Sequence, residues 1–328
     1  MSKESQIKIT TSELAWENHW DHILTRWGVR RSEHRVEPGL YALGSPTPDS
    51  PTFVTANYTL SFDALRSALP NVDGYILVLD TKGINVWCAA GKGTFGTDEI
   101  VHRVEVTGLA GVVKHRTLIL PQLGAPGVSA HEVKRRSGFK VEYGPVRAKD
   151  LLEYLQTHQA TPEMRRVRFN LWDRMVLIPV ELVHLFLPMA LTAVALWLLI
   201  GPLAALGAVT SILTGAALFP ILLPWLPTRQ FSSKGAILGG IVALIFAFLA
   251  WINGAGLPLW QRTGWALAYL LTMPPVTAFL ALNFTGSTTF TSKTGVQREM
   301  STYIPAMAWT FGIGVTLTLV SIVFRWVA

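Results

Sequence analysis

Five apolar segments in the second half of the chain constrain its fold more than any other feature. From Leu171 onward, stretches near 20 residues long alternate with short polar connectors, and that length spans about 30 Å of hydrocarbon as helix. They cover approximately 176–200, 203–223, 235–251, 264–283 and 304–324. Backbone inside a bilayer must satisfy its own hydrogen bonds, so residues 169–328 are expected to form an all-α transmembrane domain of five helices.

Basic residues collect at alternate ends of these segments. Arg165, Arg166, Arg168 and Arg174 precede the first, Arg229 and Lys234 separate the second from the third, and Lys293 and Arg298 separate the fourth from the fifth. Basic loops favour the cytoplasmic side, which places residues 1–168 inside and, after five crossings, the C-terminus outside. The outer side receives the Gly201-Pro202 turn, the loop 253–263 with Arg262, and Arg325. The expected location is the cytoplasmic (cell inner) membrane, multi-pass. The first 20 residues have no apolar core of the length a secretory signal needs, consistent with a cytoplasmic first half.

Of 28 Lys and Arg and 21 Asp and Glu, residues 1–168 hold 21 and 18. These charges form no long run and leave no electrostatic footprint for nucleic acid. The net +7 therefore belongs largely to residues flanking the apolar spans, where they meet lipid headgroups.

In the first half, short apolar runs alternate with helical patterns, the signature of βα units around a mostly parallel sheet. Strands are predicted at 52–55, 75–80, 117–121 and 139–142, and helices at 61–69, 98–106, 129–137 and 148–158, with Ser61 and Ser129 as N-caps. The expected fold is a Rossmann-like α/β domain in residues 1–168 with its core at about 45–160, the Pro- and Ser-rich stretch 44–51 being a loop. Ligands of such sheets gather beyond the carboxyl ends of the strands, here segments 57–60, 81–95 and 122–128.

The middle segment carries the only cysteine, Cys88, which excludes a disulfide framework, a CxxC pair and any cysteine-rich iron-sulfur site. Asn85 is placed to cap a short helix that Gly91 stops, with Cys88 in its first turn. Backbone N–H groups, the positive helix end and Lys92 favour a thiolate there, the form that ligates metal. The plain alternative is a small buried core residue. The neighbouring Trp87 and three nearby glycines favour a ligand-facing element instead.

Competing motifs fail on spacing. Gly91-Lys92-Gly93-Thr94 resembles the end of a phosphate-binding loop, but Val86 stands where the leading glycine belongs and Gly93 follows the lysine. No HExxH or cysteine–histidine zinc pattern is present. Nothing in the spacing of His102 or His115 argues for a base beside Cys88. In the first apolar span, Glu181 and His184 share a helical face. A proton or ion path is one reading, and an interfacial pair satisfied by neighbouring helices is the plainer one.

The nine residues Asn85-Val86-Trp87-Cys88-Ala89-Ala90-Gly91-Lys92-Gly93 resemble, without mismatch, the N-[VI]-W-C-A-[AS]-G-K signature of the HgcA family of mercury-methylating corrinoid proteins. The stretch from about Phe53 to Val146, with Val54-Thr55-Ala56-Asn57-Tyr58, is also similar to the corrinoid domain of the corrinoid iron-sulfur protein. A corrinoid domain followed by five membrane helices is that family's architecture, so the resemblance covers nearly the whole chain.

The resemblance implies a corrinoid cofactor (cobalamin or a relative), a cap helix formed by 85–93, and Cys88 as the lower axial cobalt ligand. It implies transfer of methyl from a methyl-Co(III) corrinoid to Hg(II), an electrophile that must receive a carbanion or radical equivalent. An electron-rich thiolate opposite the methyl group favours that polarity. Trp87 and Asn85 carry over as packing and hinge of the cap. Lys92 is left open between an amide contact and a solvated charge. Thr55, Asn57, Thr59, Gly124, Gly127 and Val128 are expected, by position, to contact the corrin side chains, the glycines allowing close backbone approach. Implied partners are HgcB, a ferredoxin-like protein with [4Fe-4S] clusters that supplies electrons, a folate-linked methyl donor system, and the lipid membrane, in an anaerobic organism. Two other classes stay in view: a corrinoid methyl carrier with another acceptor, and a membrane transporter or receptor with a thiol ligand site.

Overall fold

Alternation along the strands builds the first unit. In β4 (Gly74–Leu79), Tyr75, Leu77 and Leu79 point to one face of a sheet and Ile76 and Val78 to the other, and all are buried. β3 (Thr52–Ala56) and β5 (Thr117–Leu120) repeat the pattern, with Val54, Ala56, Leu118 and Leu120 on the first face and Phe53 and Ile119 on the second. A sheet apolar on both faces must be covered on both. Each buried aliphatic side chain contributes about 1.5–3 kcal/mol.

The computed structural model describes residues 6–30, 33–288 and 292–327. The chain divides into two compact units, Met1–Arg168 and Phe169–Ala328. The first contains β1 (Lys8–Thr10), α1 (Trp16–Arg26), β2 (Gly39–Leu43), β3, α2 (Thr59–Ser67), β4, α3 (Val86–Lys92), α4 (Thr97–Val106), α5 (Leu109–Val112), β5, a 3-10 segment (Gln122–Gly127), α6 (Ala130–Ser137), β6 (Lys140–Tyr143) and α7 (Leu151–Thr157). Strand order is β1-β2-β4-β3-β5-β6. α3, α4 and α6 pack on one face through Val86, Ala89, Ile100, Val104 and Val133, and α2 and α7 on the other through Phe62, Leu65, Leu151 and Tyr154.

Two strands and one helix precede the expected core. β2 runs antiparallel to β4 and parallel to β1, so the sheet is mixed, and Leu40 and Leu43 are fully buried. The four sequence-predicted strands match β3 to β6 within two residues at each end. The cap of α2 is Tyr58, not Ser61, because the helix begins at Thr59. Ser129 stands at the cap of α6 without a side-chain capping bond.

Polar fastenings hold α1 to this unit. His22 Nε2 lies 2.7 Å from Asp63 Oδ2, and Arg66 Nε donates to Asp63 Oδ1 at 2.7 Å. Arg66 also donates to the carbonyls of Thr11 and Glu13. Burial by itself would raise Asp63, but the hydrogen bonds from His22 and Arg66 outweigh it and hold the carboxyl below its usual range.

His34 is buried with Nδ1 2.6 Å from Asp21 Oδ1 and Nε2 2.5 Å from the Val29 carbonyl. Two acceptors facing both nitrogens require the imidazolium to satisfy both. Burial opposes that charge, yet the Val29 and Asp21 hydrogen bonds prevail and raise its pKa above 6.5. A raised folded value stabilises fully below the unfolded pKa and is lost as pH rises through the folded one. We expect amide exchange across residues 21–29 to accelerate through that higher pKa beyond the intrinsic pH trend, and His34→Gln to lack this extra step. Equal pH profiles in the two proteins would contradict the fastening.

Among the described residues of the second unit, five helical stretches are long and apolar enough to cross a membrane: Leu171–Leu199, Pro202–Leu222, Phe231–Asn253, Leu259–Ser287 and Thr294–Phe324. The second is α10 (Pro202–Leu213) and α11 (Phe219–Leu222), joined by a π-helical turn at Thr214–Leu218. α8 (Leu171–Met175) and α9 (Ile178–Leu199) make the first stretch, α12 (Phe231–Asn253) the third, α13 (Leu259–Asn283) most of the fourth, and α14 (Lys293–Val327) includes the fifth. α12 and α13 pack closely, with Gly235 and Gly239 against Ala278, Ala281 and Thr277, as small residues permit between helices in lipid. Glu299 is buried, and its carboxylate accepts the Ser232 amide at 2.6 Å in the first turn of α12.

Candidate functional site at the carboxyl edge of the sheet

β3, β4, β5 and β6 are mutually parallel and end on one edge. β3, the first of the four in the chain, lies between β4 and β5, so successive crossovers leave it in opposite directions. The crevice at such a reversal is where open α/β sheets bind ligands.

The segment leaving β4 turns sharply. Lys82 and Gly83 are both left-handed, with φ of 58° and 71°, and the Ile84 amide donates to the Thr81 carbonyl at 3.2 Å. Buried Asn57, immediately after β3, fixes this turn from the side. Its Oδ1 accepts from the amides of Thr81 (3.1 Å) and Gly83 (3.0 Å) and lies 2.8 Å from Thr81 Oγ1, while Nδ2 donates to Asp80 Oδ1 at 3.2 Å. Thr81 Oγ1 has one proton to divide between Asn57 and the Ile84 carbonyl, 2.7 Å away. The Asn57 amide oxygen and one of its two Nδ2 protons are thus committed to the turn that launches α3.

Asn85 caps α3, its Oδ1 accepting from the Cys88 amide at 2.9 Å. The helix continues past Gly91 and ends at Gly93, whose φ of 83° suits the left-handed cap. Val86, Ala89 and Ala90 are buried against the sheet and neighbouring segments, whereas Gly91 and Lys92 are exposed. Trp87 and Cys88 are half-buried, so the thiol is not a core residue. Just beyond, Thr94 Oγ1 is buried with no hydrogen-bond partner in the protein.

The loop after β5 braces this helix. A Cβ at Gly127 would stand 2.3 Å from the Phe95 carbonyl oxygen and 3.0 Å from Ala90 Cα, and one at Gly124 would meet the Phe95 ring at 2.4 Å. Glycine is required at both places by these internal contacts. This packing reason stands beside the one read from the sequence, approach to a planar ligand. Val128 and Thr55 are buried and Thr59 is half-buried. Sequence reasoning missed Phe95, fully buried under the loop, and the chain in which Glu99 accepts from the Asp80 amide (2.8 Å) and from Arg103 (2.7 Å). Their signal, an apolar residue and an i,i+4 ion pair, is indistinguishable from ordinary helix packing.

His115 sits at the start of β5, at the opposite edge from the end of β4 where Cys88 follows, with its ring held by the Ser50 carbonyl and the Thr117 amide. His102 is exposed on α4. In the second unit, Glu181 is half-buried and His184 exposed on α9, a helix with no buried residue, so neighbouring helices of this chain do not cover the pair.

Residues 27–155 match the family described as CO dehydrogenase/acetyl-CoA synthase delta subunit. Over 118 residues the chain is 35% identical to the acetyl-CoA decarbonylase/synthase complex subunit gamma of Archaeoglobus fulgidus, covering 35% of this chain and 25% of that protein. The corresponding subunit of Methanopyrus kandleri is 32% identical over 128 residues, covering 38% and 27%. The corrinoid/iron-sulfur protein large subunit of Moorella thermoacetica is 27% identical over 129 residues, covering 39% and 28%. The chain therefore spans about a quarter of the length of these relatives. The family match contains every candidate site residue of the first unit and ends before the apolar helices, so the likeness belongs to the α/β unit.

Proposed function

We propose that residues 1–168 bind a corrinoid with Cys88 as the cobalt ligand, and that the chain is a membrane-anchored methyltransferase that methylates Hg(II), as in the HgcA family. The observation that carries this reading is the seating of α3. Its small apolar side points into the unit, and its first turn presents Trp87 and Cys88 half-exposed at the carboxyl edge of the parallel strands. The unpaired Thr94 hydroxyl beside it offers a hydrogen bond to an amide-rich ligand. The relatives, among them a corrinoid/iron-sulfur protein large subunit, support the cofactor class and the coarser reading of a corrinoid methyl carrier. The nine-residue cysteine segment supports the finer one.

When bound, the corrinoid supplies the methyl group on its cobalt. The chain contributes position and electron density. Asn57 fixes the turn, Asn85 fixes the first turn of α3, and together they set where Cys88 Sγ stands. A thiolate there would hold the cobalt as an electron-rich donor, the property that methyl transfer to the electrophile Hg(II) calls for. With one cysteine, the chain lacks the four thiolates of a [4Fe-4S] cluster, so electrons come from a separate protein of the HgcB kind and methyl from a folate-linked system. Basic loops orient the first unit to the cytoplasm.

The transporter reading finds less support. A cleft of about 420 Å³ in the second unit is lined by residues such as Leu196, Ser211, Tyr269, Met273 and Phe311, and none of the described residues that line it is charged.

The test is anaerobic titration of the full-length protein, in detergent, with cobalamin, comparing visible spectra of wild type and Cys88→Ala. Wild type is expected to bind with a band set that the variant lacks. Identical spectra remove Cys88 as ligand, leaving a carrier that holds its corrinoid otherwise. A folded wild type that binds no corrinoid defeats the cofactor reading and moves the receptor or transporter class to the front.

A further inference from the structure

An amphipathic surface helix ordinarily turns its apolar stripe toward the core. Helix α1 does the reverse. Trp16, Trp20, Ile23 and Trp27 recur at i, i+4, i+7 and i+11, which at 100° per residue gathers them in an arc of about 60°. They are 73%, 52%, 44% and 50% exposed. Trp27 is the C-cap residue and still helical, with φ of −85° and ψ of −2°. The opposite side of the helix faces the unit: Thr25 is buried, His22 meets Asp63, and Asp21 meets His34.

The stripe is anchored outward by these polar contacts, so it is a built feature of the unit. We propose that α1 is an interfacial helix whose tryptophan stripe lies in the headgroup layer of a lipid bilayer. Three observations select lipid over a protein partner. The stripe is three-quarters tryptophan, whose apolar body and N–H tip suit the boundary between hydrocarbon and water. Arg26 and Arg30, both exposed at the C-terminal end of the stripe, complement anionic headgroups. The chain also carries five membrane-length helices of its own, which keeps a bilayer within tether reach of α1 at high effective concentration, so weak interfacial affinity suffices. The inference does not depend on the corrinoid reading.

The test places a single NBD-type label at Trp20→Cys in full-length Cys88→Ala protein, reconstituted in phosphatidylcholine/phosphatidylglycerol vesicles. A control carries it at His102→Cys. His102 is exposed on α4, which packs on the sheet face opposite the one that carries α2 and, through Asp63, α1. The label at position 20 should shift to the blue relative to detergent and lose most of its emission to lipids bearing a nitroxide near the headgroup, while the label at 102 does neither. Emission at 20 that matches 102 overturns the proposal. A blue shift at 20 that escapes nitroxide quenching and grows with the protein-to-lipid ratio also overturns it, and assigns the stripe to a second copy of the chain. Both labelled positions are exposed, so neither substitution removes a core contact.

Discussion

Cells that express Cys88→Ala in place of the native chain should form no methylmercury above the level of cells lacking the protein, while the purified variant melts within about 2 °C of wild type, substitutions outside the core ordinarily staying within about 0.5 kcal/mol. The two halves of this result come from one geometry. Cys88 is half-buried and contributes its backbone amide, not its side chain, to the capping bond with Asn85, so alanine keeps the cap and the helix. On the proposed reading the sulfur is the cobalt ligand, and alanine offers no lone pair in its place. Retained methylation in Cys88→Ala would remove the thiolate from the chemistry. A large loss of melting temperature would return Cys88 to a packing role.

Asn57→Leu should have the larger effect on stability. The side chain is 1% exposed, and its Oδ1 is the acceptor for the amides of Thr81 and Gly83. Leucine fills similar space but leaves the buried Gly83 amide without a partner, at about 1–3 kcal/mol, while the Thr81 amide keeps only its 3.1 Å bond to the Leu79 carbonyl. That loss is a substantial share of the roughly 5–15 kcal/mol that stabilises a typical domain. At about 2–4 °C per kcal/mol the first unit should melt roughly 2–12 °C lower. Exchange of the amides at Thr81 and Gly83 should accelerate first, and corrinoid affinity should fall because the turn that sets α3 is loosened. Unchanged melting, with unchanged exchange at those two amides, would show that the turn holds itself.

Much of this arrangement is legible in the sequence because it follows from periodicity. The central strands β3, β4 and β5 are apolar on both faces and bounded by turn residues, and α4 and α6 have apolar positions at helical spacing. The five membrane-length helices declare themselves by length and lack of charge. The asparagine cap at Asn85 was equally readable, since an asparagine before a short apolar helix has one common use.

What escaped the sequence depends on distant partners. β1 is three residues long, too short for alternation to stand out, and β2 stands ahead of the βα alternation and has its place through antiparallel pairing with β4. Helix α1 was invisible to a search for core-facing stripes because its stripe faces away. The end of α3 moved from Gly91 to Gly93 because two glycines stand close together and only the second adopts positive φ. The roles of Asn57 and Gly127 rest on contacts to residues 24 to 37 positions away in the chain, which no local pattern encodes.

The seating of α3 has a consequence for how such a protein diversifies. The buried contacts of the helix are made by Val86, Ala89 and Ala90 on one side, with Phe95 and Gly127 beneath, while the side chains at 87 and 88 are half-exposed and positions 91 and 92 are exposed. Inherited constraint and heritable novelty are therefore separated within seven consecutive residues. A lineage can exchange the outward residues, and with them the reactivity offered at the sheet edge, without first acquiring compensating changes in the scaffold, so new chemistry on this fold is reachable by single substitutions.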